Sequence, residues 1–372
     1  MRYDAVVIGA GPAGSTAAIL LGRAGLNVCL LDKDEFPRHK LCGEFLSGDG
    51  TALLEQLDLE GAVMKAGAVP IDRCLVSSVD GALFEASLPG RPLSISRSRF
   101  DETLIHEAER SGVTTHTGVE VVGIAGSLSE GFRISTRDGV LEAGVVICAF
   151  GRSSSLERRL GRTTTNAESD PLVAFKAHYE GPFDKGVVEL HSFAGGYCGI
   201  QCIEDSLVNV CWIARASVLR EAGGKPDGMV SAVFPANDLL AKRMSRLERV
   251  NDGFLAVSQL NFRARSSIEG DLLLAGDSAG MIAPMCGDGM SMAISGGALV
   301  ARLVEAFAGG RIDADEMKSR YQSSWRRSYR TRMWLGRLLH LGYERAIVSR
   351  VGVGLCARVP ALGQWLIQAT RG

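Results

Sequence analysis

Four apolar residues, Ala5, Val6, Val7 and Ile8, run straight into Gly9-Ala-Gly11-Pro-Ala-Gly14. No other stretch restricts the fold as much, because a buried strand, a glycine turn and a helix must follow one another there. Gly9 permits the tight turn, Gly11 lets backbone approach a pyrophosphate, and Gly14 lets the helix pack closely on the strand. Residues 15–25 read as that helix, and residues 28–31 as a second strand ending at Asp32. Asp32 lies 18 residues beyond Gly14, where a carboxylate can accept both hydroxyls of a ribose. The helix start offers free N–H groups and a positive dipole end to phosphates. The unit predicts a dinucleotide site built from Gly9, Gly11, Pro12, Ala13, Gly14, Asp32 and Lys33. By itself it leaves NAD and FAD both open.

The 372 residues are 46% hydrophobic, enough for one large core or two smaller ones. Collagen-like, disordered and small disulfide-scaffold classes are excluded. Glycine, at 45 residues, is well above its ordinary share of about 7%. The 41 basic and 42 acidic residues nearly cancel, which gives no reason to expect nucleic acid as a partner. The balance hides a split: from Lys318 onward there are eleven Lys/Arg and one acid, Glu344, a net of +10, leaving about −11 for residues 1–317. Nine cysteines show neither a C-x-x-C pair nor Cys/His ligand spacing. That predicts reduced thiols, a cytoplasmic setting and no metal site. The chain enters its first apolar run directly after Met1-Arg2-Tyr3-Asp4, so no signal peptide is expected. Nor is a membrane span, which needs about 18 uncharged apolar residues.

Two further apolar runs, residues 145–149 and 272–275, also end in glycine turns and read as buried parallel strands. Residues 72–96 and 171–262 alternate in the manner of antiparallel strands, and residues 316–358 carry a helical pattern. The expected fold class is α/β. A discontinuous Rossmann-like domain takes residues 1–71, 97–170 and 263–315. A mixed β-sheet substrate domain, residues 72–96 and 171–262, is inserted in it, and a C-terminal helical segment takes residues 316–372.

The third run reads Leu272-Leu-Leu-Ala-Gly276-Asp277, placing a carboxylate at a strand's C-terminal edge, where α/β ligands sit. Beyond it come Pro284-Met-Cys-Gly287-Asp288-Gly289-Met290 and a second helix, residues 291–307. With these segments the chain resembles the FAD-dependent oxidoreductases of the p-hydroxybenzoate-hydroxylase fold, especially the geranylgeranyl-reductase-like and flavin-halogenase-like branch. The resemblance extends to about residue 310 and rests on four ordered motifs. They are the first glycine turn with Asp32; Pro37-Arg38-His-Lys40-Leu-Cys42-Gly43, similar to P-R-x-K-x-C-G; Arg97-Ser-Arg-Phe100-Asp101, similar to R-x-x-F-D; and Gly276-Asp277 with Pro284-x-x-Gly287-x-Gly289.

The resemblance implies FAD as cofactor. Asp277 should then bond the ribityl chain, Arg38 and Arg97 should contact the cofactor, and Cys42 and Gly43 should lie near the ring. Gly276, Pro284, Gly287, Asp288, Gly289 and Met290 should frame the flavin N1–C2=O edge, where a helix dipole stabilises negative charge. One motif departs from the family. Cys148-Ala-Phe150-Gly151-Arg152-Ser153 carries Phe150 where an acid is usual, in a segment associated with FAD and NAD(P)H contacts. The departure weakens the expectation of a pyridine-nucleotide site and leaves FAD untouched.

The flavin would supply the redox chemistry and the protein position and polarity. Monooxygenation of an apolar or aromatic metabolite, polyketide- or isoprenoid-like and free or carrier-tethered, leads the reading, with NAD(P)H or a reductase partner as electron source. The alternative is a C=C reductase of the geranylgeranyl-reductase type. The matching segment, Gly196-Tyr197-Cys-Gly-Ile200-Gln201, keeps only the tyrosine of that group's Y-x-W-x-F-P. A halogenase ranks behind, since W-x-W-x-I-P and the G-W-G context with its lysine are missing, and a non-catalytic FAD-binding protein stays open. Catalytic candidates are Cys42 and Tyr197. His178 and His191 are weighed as general bases, while Trp212, Phe193 and Cys286 read as packing residues. In the basic tail, Trp334, Leu338 and Leu341 fit one helical face. That helix could pack on the acidic body, touch a membrane peripherally through residues 316–358, or dock an acidic carrier protein.

Overall fold

The computed structural model describes residues 2–152, 155–162, 169–250, 253–260, 262, 265–343 and 345–369. Ser153 of the departing motif lies outside the described residues. The chain opens with β1 (Arg2–Ile8), α1 (Pro12–Arg23) and β2 (Val28–Leu31). A short strand β3 (Phe45–Leu46) and helices α2 (Gly48–Gln56) and α3 (Glu60–Lys65) follow. Next come β4 (Val69–Pro70), β5 (Arg73–Ser77), β6 (Leu83–Ser87), β7 (Leu93–Ser94) and α4 (Arg97–Arg110). β8 (Thr114–His116), β9 (Val121–Ser127), β10 (Gly131–Thr136) and β11 (Val140–Cys148) lead to α5 (Ser155–Arg159). Four long strands succeed it: β12 (Leu172–Glu180), β13 (Val187–Phe193), β14 (Gly196–Cys202) and β15 (Val208–Arg215). Helices α6 (Ala216–Glu221), α7 (Pro226–Ala232) and α8 (Asp238–Met244) precede β16 (Glu248–Arg249), β17 (Leu255–Leu260), β18 (Ile268–Glu269) and β19 (Leu272–Leu274). The rest is helical: α9 (Gly289–Ala308), α10 (Ala314–Tyr343), α11 (Ala346–Arg358) and α12 (Pro360–Ala369).

The three apolar runs become neighbours. The first sheet has the order β18-β19-β11-β1-β2-β8, with the β9–β10 hairpin extending from β11. β1 lies parallel to both β2 and β11, Ala5 facing Val28 on one side and Val145 on the other, and β11 lies parallel to β19. Ala5, Val6, Val7, Val28, Ile147 and Leu273 are fully buried. α1, α4, α9 and the β9–β10 hairpin pack with these strands in one core, which is why the strands read as continuous apolar runs rather than alternating ones.

The second sheet runs β16-β12-β15-β14-β13-β5-β6, with β17 also on β12. It is mixed, because β5 pairs parallel to β13 while its other pairings are antiparallel. Its two faces differ. Phe175, Phe193, Cys198, Ile200 and Trp212 point to one side and pack with Met229, Phe234 and Leu240 from the helical excursion α7–α8. Each fully buried side chain of this kind contributes ~1.5–3 kcal/mol of transfer free energy. Phe193 and Trp212 are thus core residues. The alternate positions, among them Val188, Leu190, Tyr197, Gly199, Cys211 and Ile213, look into the cavity described below.

Small residues let α1 and α9 pack closely: a Cβ on Gly297 would lie 2.2 Å from the Ala13 carbonyl oxygen. α9 is 20 residues long with a mean hydropathy of 1.3, so by length and composition it reaches the membrane-span range that the sequence reading set aside; just over half of it is buried inside the protein. It is apolar because it is the core helix between α1 and α10. α10 turns Tyr321, Trp325, Tyr329 and Met333 inward at four-residue spacing, and the Tyr321 hydroxyl donates to the Leu274 carbonyl at 2.5 Å. α11 and α12 pack on β6, where Phe84 meets Val353 and Cys356, with Leu366 and Ile367 against the same cluster.

Candidate active site

A cavity of 1280 Å³ joins the two glycine turns. Gly9, Gly11, Pro12 and Ala13 line it from one side, and Gly276, Asp277, Pro284, Gly287, Gly289 and Met290 from the other. It continues past Cys42 and Gly43 to a chamber between the second sheet and the C-terminal helices, where Val76, Phe84 and Leu190 face Val348, Val353 and Leu366. The volume exceeds the ~300–1,000 Å³ of a single-ligand pocket.

At the first turn, Gly9 has φ +107°, and a Cβ there would lie 2.3 Å from the Ala149 carbonyl oxygen. Gly14 packs against Gly9, a Cβ falling 1.9 Å from the Gly9 carbonyl oxygen, and does not line the cavity. It shapes the turn from behind, by the close packing expected of it. Gly11 is the N-cap of α1 and lends no side-chain cap, so the first N–H groups of the helix are left for a ligand.

Asp32, at the end of β2, accepts the Ala10 N–H at 2.7 Å and an Arg38 N–H at 3.2 Å on Oδ2, and the Asp34 N–H at 3.0 Å on Oδ1. The carboxylate is therefore fixed by the turn it serves, with acceptor capacity remaining chiefly on Oδ1. Lys33 lines the cavity while its ammonium bonds Asp34 at 3.0 Å. Arg38 and Arg97 both line the cavity and both grip the fully buried Asp101: Arg38 at 2.9 Å, and Arg97 through two bonds at 2.8 and 2.7 Å. Burial disfavours the Arg97 charge, but Asp101 more than offsets it and the pKa ends above the ordinary value.

Asp277 faces three arginines. Burial raises its pKa, against the pull of Arg152, Arg97 and Arg265. Its carboxylate makes no side-chain hydrogen bond among the described residues, and Arg152 Nη1 is buried with no hydrogen-bond partner there. A half-buried acceptor and a buried donor, both lining the cavity, suit a polyhydroxylated or anionic ligand between them. With the bare helix starts and the Gly11 approach, that donor set fits FAD. The N-terminus of α9, at Gly289, also lacks a side-chain cap.

Asp288 stands apart from the cavity wall. It is fully buried, accepts Ser47 Oγ–H at 2.8 Å and Arg332 Nη1–H at 3.1 Å, and does not line the cavity. Next to the ring-facing turn, it ties that turn to α2 and α10.

Behind Cys42 lies a buried cluster that sequence reasoning missed. Glu44, in the left-handed region at φ +57°, takes the Lys176 ammonium on Oε1, His178 Nε2 at 2.7 Å on Oε2, and the Arg97 backbone N–H at 2.7 Å. Burial would raise the Glu44 pKa, but Lys176 and His178 outweigh it and hold it below 4.5. Asn209 Nδ2 donates to the Gly43 carbonyl at 2.9 Å, and Gln201 Nε2 donates to the same oxygen. His178, Asn209 and Gln201 stand on one rung of the second sheet, so that rung clamps the Cys42–Glu44 turn. Cys42 Sγ accepts the Glu44 N–H at 3.3 Å, and burial pushes its thiol pKa up. Burial thus disfavours the thiolate, the form a nucleophilic cysteine needs.

Neither histidine weighed as a general base lines the cavity. His178 is held by Glu44, and His191 is fully buried between Ser77 (2.8 Å) and Glu189 (3.0 Å), whose carboxylate is clasped by Arg243. Tyr197 does line it, its ring edge-on to His340 with centroids 6.2 Å apart. Phe150 lines it at the position of the family's acid. Lys176 left one signal, a lone cation inside the apolar run of β12. The contribution of α11 and α12 left none, because it depends on how they fold back.

Comparison with known proteins accords with this geometry. A sequence profile described as FAD binding domain matches residues 2–328. A menaquinone reductase of Mycolicibacterium smegmatis is 28% identical over 344 residues, covering 87% of this chain and 79% of that protein. The flavin-dependent brominase Bmp2 shares the fold with a TM-score of 0.80 at 20% identity, over 99% of this chain and 93% of that one. Pseudomonas aeruginosa PqsL, described as a probable FAD-dependent monooxygenase, superposes with a TM-score of 0.74 at 18% identity, over 95% and 99% of the two chains.

Proposed function

The chain belongs to the FAD binding domain family, and from that premise we propose that this FAD-dependent oxidoreductase is a monooxygenase that hydroxylates an electron-rich ring carrying a long apolar tail. The observation that carries the reading is the continuity of the cavity, from the nucleotide turns into an apolar chamber walled by β5, β6, β13 and α10–α12. When bound, FAD supplies two-electron redox chemistry and, once reduced, reactivity toward dioxygen. One oxygen atom goes to substrate and the other to water, with two electrons drawn from NAD(P)H or a reductase partner.

The chain's own residues bind, orient and exclude water. Gly11 and the start of α1 would hold the diphosphate, Asp32 the ribose, and Asp277 with Arg152 the ribityl chain. The N–H groups of α9 would favour negative charge at the pyrimidine edge. Leu260, Met281 and Met285 wall the ring-proximal region with apolar surface. Cys42 and Tyr197 line the cavity there and can orient a substrate hydroxyl. With neither His178 nor His191 on the cavity wall, a ring that is nucleophilic without a histidine base suits the site.

A second reading is favoured by the Cys42-Gly43 turn and the reductase relative: saturation of a C=C bond in an isoprenoid-like chain. Turnover of an alkylphenol under ¹⁸O₂ with NADPH tests the first, the expected product carrying one ¹⁸O by mass spectrometry. Product gaining two hydrogens under argon supports the reductase, and a bromide-dependent product supports halogenation; either result without ¹⁸O removes the monooxygenase reading.

A further inference from the structure

α10 and α11 carry apolar side chains on their outer as well as inner faces. On α10, Trp334 (62% exposed), Leu338 and Leu341 point outward at i, i+4 and i+7. On α11, Val351 (63% exposed) and Leu355 point outward at i and i+4, Val359 follows just past the helix end, and Trp365 of α12 is 60% exposed. The inner faces account for the packing on β6 and α9, and Trp334, Val351 and Trp365 are the most exposed of the outer positions. Arginines accompany the stripe: Arg327, Arg330 and Arg337 continue the outward face of α10, and Arg345 and Arg358 flank the stripe of α11. None of the five, nor Arg326, forms an ion pair among the described residues.

This surface is also where the cavity reaches the outside. Leu338 and Val348 are exposed and at the same time line the cavity, at the junction of α10 and α11, and the exposed Gly352 lines it one turn further on. An apolar mouth on helices that also carry exposed arginines without an ion pair among the described residues matches a surface with anionic headgroups outside and acyl chains beneath. We propose that α10–α12 dock this protein on an anionic lipid bilayer and admit the apolar substrate directly from it. The proposal rests on the long-tailed apolar substrate of the previous subsection. An acidic carrier protein would use the arginines but leave Trp334, Val351 and Trp365 without a purpose, and the charge and apolar features together select the bilayer.

The test is co-sedimentation of the full-length, FAD-loaded protein with vesicles of phosphatidylcholine alone or mixed with phosphatidylglycerol. Binding is expected only to the mixed vesicles and should weaken as salt is raised. Arg326→Gln/Arg327→Gln/Arg330→Gln should lower the partition coefficient about fivefold per arginine. Trp334→Ser/Val351→Ser/Trp365→Ser should lower it at least tenfold, with flavin absorbance unchanged in both variants. Equal sedimentation with both vesicle types, partitioning of either variant at the wild-type level, or capture by an acidic apo-carrier domain in place of vesicles overturns the proposal. Vesicle binding without ¹⁸O incorporation would keep the docking surface and retire the reaction.

Discussion

Asp277 and Glu44 show how their partners give two carboxylates different uses. Asp277 is left without a hydrogen-bond partner beside three arginines, as a ligand site requires, and Asp277→Ala should lose FAD on desalting. His39→Ala, on the exposed side of the same region, should retain it; equal retention by absorbance near 450 nm (roughly the flavin maximum) would refute the assignment. Glu44 is fully satisfied, and its role is to hold a turn. Removing its charge strands Lys176 in the interior, so Glu44→Gln should destabilise the fold by about 3 kcal/mol in denaturant titration. The sign of its pH dependence follows. A carboxyl held below 4.5 when folded stabilises fully above that value, and the contribution is lost as pH falls through the depressed one. Wild type should therefore lose more stability on acidification than Glu44→Gln. The motif exposed Cys42, Gly43 and Arg38 in the sequence, whereas the partnership of Lys176 and His178 with Glu44 was hidden because only the packing of the Cys42–Glu44 turn on the second sheet makes it.

At the scale of elements, the two glycine-led helices behave as one unit. α1 and α9 start at the same cavity and touch along residues too small to hold them apart. Gly297→Ala puts a methyl against the Ala13 backbone and should separate them. The expected cost is about 1–3 kcal/mol of stability, with weakened FAD binding. A melting temperature and FAD affinity equal to wild type would show that the contact has slack. The second sheet is likewise divided by function. Its period-2 pattern announced strands, but not which face would meet the helices α7–α8 and which the cavity. Register decided that, placing Tyr197, Gly199 and Gln201 inward and Cys198 and Ile200 on the far side.

For the molecule as a whole, the cavity makes the nucleotide domain, the second sheet and the C-terminal helices interdependent. A plug at its outer end should act on substrate alone. Gly352 of α11 lines the mouth, and a Cβ there meets nothing within 4 Å. Gly352→Trp should then fold and hold FAD normally while raising KM for a long-tailed substrate about tenfold, a short analogue being less affected. Equal KM changes for both would mean that substrate enters elsewhere.

Local chemistry made one part of this protein legible in its residues. The glycine turns, Asp32, Asp277 and the apolar runs of the parallel sheet declare themselves because each needs a particular backbone freedom or charge at a fixed point in the chain. Tertiary packing alone decided the rest. It turned Gly14 and Asp288 away from the cavity, sealed His178 and His191 into polar clusters, and folded α11 and α12 back to close the far wall. These outcomes depend on which distant surfaces meet, and contact between residues a hundred or more positions apart leaves no periodicity to read.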